Sequence, residues 1–142
     1  MTFTKSEQRF LRSNEVGRLA TISRDGTPHV VPVSYLFKDN ALLIAVDYGT
    51  KKLGNIKRNR RIALVVDTVG PNRGILIQGN AKLIEHGAGF RDAYSQFHRA
   101  FSWVRADPWK EGEAPFVKIT PTTKASWGFR WFSKHRNGIG ER

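Results

Sequence analysis

The chain has 142 residues, enough for one domain with a hydrophobic core and too few for two comfortable ones. Its 39% hydrophobic and 25% charged residues are those of a folded domain, and the absence of cysteine excludes disulfides, thiol chemistry and thiolate metal sites. Against 12 Asp and Glu stand 24 Lys and Arg, a formal charge of +12 that favours an acidic partner: nucleic acid, an anionic surface or a phosphorylated ligand.

Thr4 followed three residues on by Glu7 has the form of a capping box, and Phe3, Phe10 and Leu11 supply an apolar face, so a short helix ending near Ser13 and Asn14 is expected. Two β-rich runs, 18–23 and 29–37, flank the turn "RDGTP", and a third, 41–47, follows across "KDN". Asp-Gly and Asp-Asn between hydrophobic runs predict a three-stranded meander. Pro32 interrupts the second run; lacking an N–H, it implies an edge, a bulge, or a place where something other than a strand lies alongside.

Thr50 is placed to cap a helix of about two turns, with Leu53 and Ile56 on one face and Lys51, Lys52, Lys57 and Arg58 elsewhere. "RNRR" then leads into 62–66, a continuous β-branched run typical of a buried strand. After the turn "VGPNRG", residues 75–84 form another strand in which Gly79 marks a bulge or a close approach. Phe90, Ala93, Tyr94, Phe97, Phe101 and Val104 recur at steps of three and four, predicting one amphipathic helix from 89 to about 104. "RADPWKEGEAP" reads as a loop, followed by two strands, 116–120 and 124–129 or beyond. The whole is mainly β with flanking helices, a small antiparallel barrel with helical cover. A single domain is expected over 1–132, with 133–142 a basic, flexible tail.

The first residues lack the apolar core of a signal peptide, and no run approaches the ~18–20 apolar residues of a membrane span, so a cytoplasmic location is expected. There is no G-x-S-x-G elbow, Walker loop or G-x-G-x-x-G. Of the four histidines, 29, 86, 98 and 135, no two lie at ligand spacing on one helical turn, and no metal site is expected. His29 reads as a solvated strand end or a ligand-facing residue, and His98 as a partly buried helix residue. Asp25, Asp39 and Asp67 fall in or beside turns, where they bond the local backbone. The hard chemistry is therefore expected from a bound cofactor.

The basic cluster is the most informative stretch. A helix N-terminus presents unpaired amides and a positive dipole end, so Thr50, Lys51 and Lys52 offer a hydroxyl, amides and two ammoniums for one phosphate. Read from spacing alone, a solvated helix face is the preferred reading of the same residues. Lys57, Arg58, Arg60 and Arg61 read as surface charge or partner contacts. Trp103, Trp109, Trp127 and Trp131 are all late in the chain and do not interleave with these cations, which argues against a single-stranded nucleic-acid barrel.

In their order, "VGRLATISRDGTPHVVPVSYLFKDNALLIAVD", "TKKLGNIKRNRRIALVVD", "RGILIQGNAKLIE" and "VKITPTTKASWGF" resemble the pyridoxamine 5′-phosphate oxidase-like superfamily of flavin and deazaflavin proteins. That resemblance implies a split β-barrel with Greek-key-like antiparallel topology, paired as a homodimer with two cofactor sites at the interface. It assigns Val30, Val31, Pro32 and Val33 to the strand along the cofactor ring, which gives Pro32 its reason. Thr50, Lys51 and Lys52 are assigned to the cofactor phosphate, Asn55 to the loop over it, and Trp127 to an approach from the partner subunit. The end "FRWFSKHRNGIGER" does not reproduce the Arg-x-His type motif of true pyridoxamine-phosphate oxidases, so that activity is not expected. The spelling is similar to the branch of F420-dependent reductases. FMN would use the phosphate site alone, whereas the acidic tail of coenzyme F420 would also meet the cations at 57–61, and both cofactors remain open. The implied function is a flavin- or deazaflavin-dependent oxidoreductase acting on a small organic substrate. The alternatives are a non-catalytic FMN- or heme-binding barrel and a single-stranded nucleic-acid-binding barrel. No catalytic acid or base is assigned; His29, Tyr35 and Tyr48 are candidates by position.

Overall fold

In a computed structural model, which describes residues 1–129, the first helix α1 (Lys5–Ser13) opens on the expected capping box. The Glu7 amide donates to Thr4 Oγ1 at 3.1 Å, and the Thr4 amide donates to Glu7 Oε1 at 2.8 Å. Glu7 is buried and also accepts from the Lys124 ammonium. Burial alone would raise its pKa, but the Lys124, Thr4 and Ser126 hydrogen bonds outweigh it and hold the carboxyl below its usual value.

Six strands close a barrel in the order β1-β2-β3-β6-β5-β4, every neighbour antiparallel. They are β1 (Val16–Ile22), β2 (Pro28–Lys38), β3 (Ala41–Ala45), β4 (Arg61–Thr68), β5 (Arg73–Ile84) and β6 (Phe116–Trp127). The first three form the expected meander. Gly26, at φ 87°, occupies the β1–β2 turn, and Asp39 and Asn40, at φ 51° and 61°, make the two-residue turn into β3. The chain then crosses through α2 (Lys51–Arg58) to β4, which pairs with β1, so the second meander closes on the first.

Leu19, Leu42, Ile44, Leu64, Ile75, Ile77 and Ile119 are fully buried and fill the barrel from alternate positions of their strands. A second cluster lies on the outer face, where α3 (Gly87–Ala100) sets Phe90, Ala93 and Phe97 against Phe116, Leu43 and Ile84.

Three expectations are corrected. The helix from 89 to 104 is two helices, α3 and α4 (Ser102–Ala106), because Phe101 adopts an extended φ of −122° and ψ of 122° and buries its ring between them. The two late strands are one, β6, which pairs β3 on one side and nearly the whole of β5 on the other. Pro121, the apparent breaker, sits opposite Gly79 where the register shifts, so its missing N–H falls at the irregularity. A Cβ on Gly79 would lie 2.3 Å from the Thr120 carbonyl oxygen, so the expected close approach and bulge coincide. The strand also ends at Trp127, before 129. The C-terminal tail lies outside the described residues.

The edge reading of Pro32 holds within one chain. Among the described residues, 28–34 of β2 pair only with β1, and β3 covers only Tyr35 to Lys38. The Tyr35 amide donates to Glu15 O at 2.9 Å, which fixes the alternation so that the Pro32 nitrogen and the Val30 backbone groups point away from β1, toward the uncovered side.

Candidate functional site

Thr50 stands at the N-cap of α2 with an extended backbone, but its hydroxyl donates to Asp47 O at 2.8 Å rather than receiving a helix amide. The first-turn amides of α2 are therefore uncapped by any side chain, and that turn carries no acidic residue, the opposite of α1 with its closed capping box. Lys51 is exposed and Lys52 half-buried beside those amides. Two lysines thus flank open N–H groups at the positive end of the helix dipole.

What holds α2 there is Asn55. It is 0% exposed, its Nδ2 donates to Thr21 Oγ1 at 3.0 Å, and its Oδ1 accepts from the Arg58 guanidinium at 2.6 Å. Both polar ends are engaged by protein, so Asn55 acts as a peg fixing α2 to β1. Thr21 in turn pairs with His29 across the β1–β2 ladder. The start of α2 also lies by the β1–β2 turn. The Asp25 carboxyl there is held below its usual value mainly by the Thr27 amide and hydroxyl, with a contribution from the Lys51 charge.

The fold thus brings the two main predicted segments into one neighbourhood: Thr50, Lys51, Lys52 and Asn55 on α2, and 30–33 on β2, separated by the single strand β1. Along β2, Val33 is buried and Val31 half-buried toward the core, while Pro32 and Val30 face outward, Val30 at 63% exposure. The uncovered edge of β2 is thus flanked by the exposed side chains of Val30 and Pro32. His29 is half-buried rather than a solvated strand end, and its buried Nδ1 has no hydrogen-bond partner among the described residues.

Trp127 is not part of this neighbourhood within one chain. It lies opposite Gly74 with its indole packed on that glycine, where a Cβ would be 2.2 Å from the ring, and its buried Nε1 has no hydrogen-bond partner among the described residues. Gly74 pairs with Asp67, whose carboxylate reaches Arg18 at 3.2 Å.

The positional candidates separate as well. Tyr35 is buried, donates its hydroxyl to Leu11 O at 2.6 Å, and has its phenol pKa pushed far up by burial; it anchors α1. The Tyr48 hydroxyl donates to Glu85 at 2.8 Å, its pKa raised by desolvation and then by that carboxylate, with Lys57 over its ring. His98 is exposed on α3, not partly buried. Of the cations at 57–61, Arg58 is taken by Asn55, Arg60 reaches Ala81 O at 3.4 Å and Lys57 lies over Tyr48, so three of the four have intramolecular contacts. Thr21 and Arg58 as supports of Asn55 were not found from sequence: the Thr21 contact spans 34 residues and leaves no local signal, whereas Arg58 stands at i+3 on the same helix, a spacing that could have found it.

Residues 3–128 match the pyridoxamine 5′-phosphate oxidase family. The chain belongs to this family. It is 38% identical over 117 residues to the 5a,11a-dehydrotetracycline/5a,11a-dehydrooxytetracycline reductase of Streptomyces rimosus subsp. rimosus, covering 76% of this chain and 80% of that one. Among solved structures, a FAD-binding protein from Mesorhizobium loti is 26% identical with a TM-score of 0.67, covering 89% of this chain and 95% of that one. An F420 reductase shares the fold at 20% identity and a TM-score of 0.68, covering 86% and 98%. The family and the curated reductase make this chain a split-barrel oxidoreductase.

Proposed function

We propose that the chain works with FMN or coenzyme F420, holding the cofactor phosphate at the start of α2 and the ring along the uncovered edge of β2. The observation that carries this reading is the uncapped, lysine-flanked N-terminus of α2, pinned through Asn55 and Thr21 next to the one-sided stretch of β2. Lys51 and Lys52 neutralise the phosphate while the amides of the first turn donate hydrogen bonds to its oxygens. Val30 and Pro32 cover one side of the ring, and the Val30 amide is free to bond its edge. The cofactor, when bound, supplies the hydride or electron transfer.

The residues assigned here bind and orient the cofactor. A second copy of the chain closes the site over the β2 edge in this reading, and Trp127 reaches the ring from that copy. The relationship to a reductase of dehydrotetracyclines supports a small organic substrate and a reductive direction.

Titration of the purified protein with FMN and with F420, followed by tryptophan fluorescence, tests the proposal and separates the two cofactors. Changing both Lys51 and Lys52 to Ala is expected to weaken the preferred cofactor at least tenfold, about 1.4 kcal/mol. Unchanged affinity in the folded double variant would remove the phosphate assignment.

A further inference from the structure

Between α3 and the outer face of β3, β5 and β6 lies a cleft of about 700 Å³, a size that takes a small organic ligand. Its floor is apolar and half-exposed: Leu36, Leu43 and Ile84 face outward from β2, β3 and β5. Its far wall is one stripe of α3, in which Gly89, Asp92, Ala93 and Gln96 recur at helical spacing. Gly89 sets the seam, since a Cβ there would lie 3.3 Å from Ile84 Cγ2.

The near wall carries an unusual charge arrangement. Lys82 and Lys118 are direct partners in the β5–β6 register, and Lys118 is also the partner of Leu43 on the floor. Two ammoniums on directly opposed residues repel one another, a pairing that strands ordinarily avoid. Among the described residues neither lysine has an ion pair or hydrogen bond. The carboxylates of the cleft do not relieve them: Glu85 accepts from the Tyr48 hydroxyl and Asp92 from the Gln96 amide, and neither carboxylate nor Asp39 reaches ion-pair distance of either lysine.

We propose that this cleft is a second binding site, for a small organic anion whose apolar body lies on Leu36, Leu43 and Ile84 and whose carboxylate, sulfonate or phosphate sits between Lys82 and Lys118. The anion relieves the repulsion of the lysine pair, and the body covers apolar surface that the fold leaves half-open. Glu85 at the end of the cleft is bonded to Tyr48, two residues before Thr50, so an occupant lies next to the loop that delivers α2.

The test uses 1-anilinonaphthalene-8-sulfonate as the probe with the full chain. Saturable binding is expected at one per chain, with backbone amide shifts of α3, β5 and β6 mapping it to the cleft. Lys82→Gln with Lys118→Gln should weaken it at least tenfold, and Gln96→Trp, which fills the cleft without changing charge, should abolish it. The Lys51→Ala, Lys52→Ala variant should bind the probe normally, which keeps this site distinguishable from the cofactor site. The proposal is overturned if the probe binds the lysine-pair variant undiminished, if its shifts map to α2, or if it binds nowhere.

Discussion

Replacing Asn55 with Ala removes the peg between α2 and the barrel, and its cost can be worked from the bonds that are lost. The side chain is fully buried and makes two hydrogen bonds, one from its Nδ2 to Thr21 Oγ1 and one from the Arg58 guanidinium to its Oδ1. A neutral buried bond contributes about 1 kcal/mol net. The charged one ordinarily contributes about 1.5–3, and belongs at or below the low end here because Arg58 itself is exposed. Thr21 is 2% exposed, so its hydroxyl has little access to replacement water. The expected loss is about 2–3 kcal/mol, a drop in melting temperature of roughly 6–12 °C for a domain of this size. Urea unfolding with unchanged m-value measures it. A double-mutant cycle with Thr21→Val isolates the pair and should show a less-than-additive loss. A destabilisation below about 1 kcal/mol, or full additivity in the cycle, refutes the peg.

Gly79→Ala should cost about 1–3 kcal/mol, since its Cβ would press on the Thr120 carbonyl at a point where backbone must move; thermal melts decide it. Glu7 gives a pH dependence of definite sign. Its folded pKa lies below the ordinary glutamate value, so its stabilisation is complete above that ordinary value and is lost as pH falls through the folded pKa. Glu7→Gln should flatten that acid limb in unfolding measured from neutral pH downward. For the interface, sedimentation should find a dimer at working concentration, and Val30→Asp should shift it toward monomer with loss of cofactor binding; a stable monomer that binds cofactor fully would remove Trp127 from the site.

Local chemistry was readable from the chain itself. The capping box at Thr4, the Asp-Gly and Asp-Asn turns, the two-turn basic helix and the open side of β2 at Pro32 each follow from constraints that act within a few residues. The basic residues of α2 were visible too, but whether they made a site or a solvated face was undecidable, because that depends on where the Thr50 hydroxyl turns and on what lies beside the helix. Tertiary contacts decided the rest. Pro121 failed to break β6 because β5 supplied a continuous partner and a bulge at Gly79 to receive it. Phe101 broke a periodic helix because burying its ring against Phe97 and Trp103 outweighed one more turn. Tyr35 left the site because its side chain points into the core and ties down α1, whereas Asn55 became the support of α2 through a residue 34 positions away. Sequence period sets which residues share a face; only the closed barrel brings distant faces together, because its pairings join strands that the chain order keeps apart.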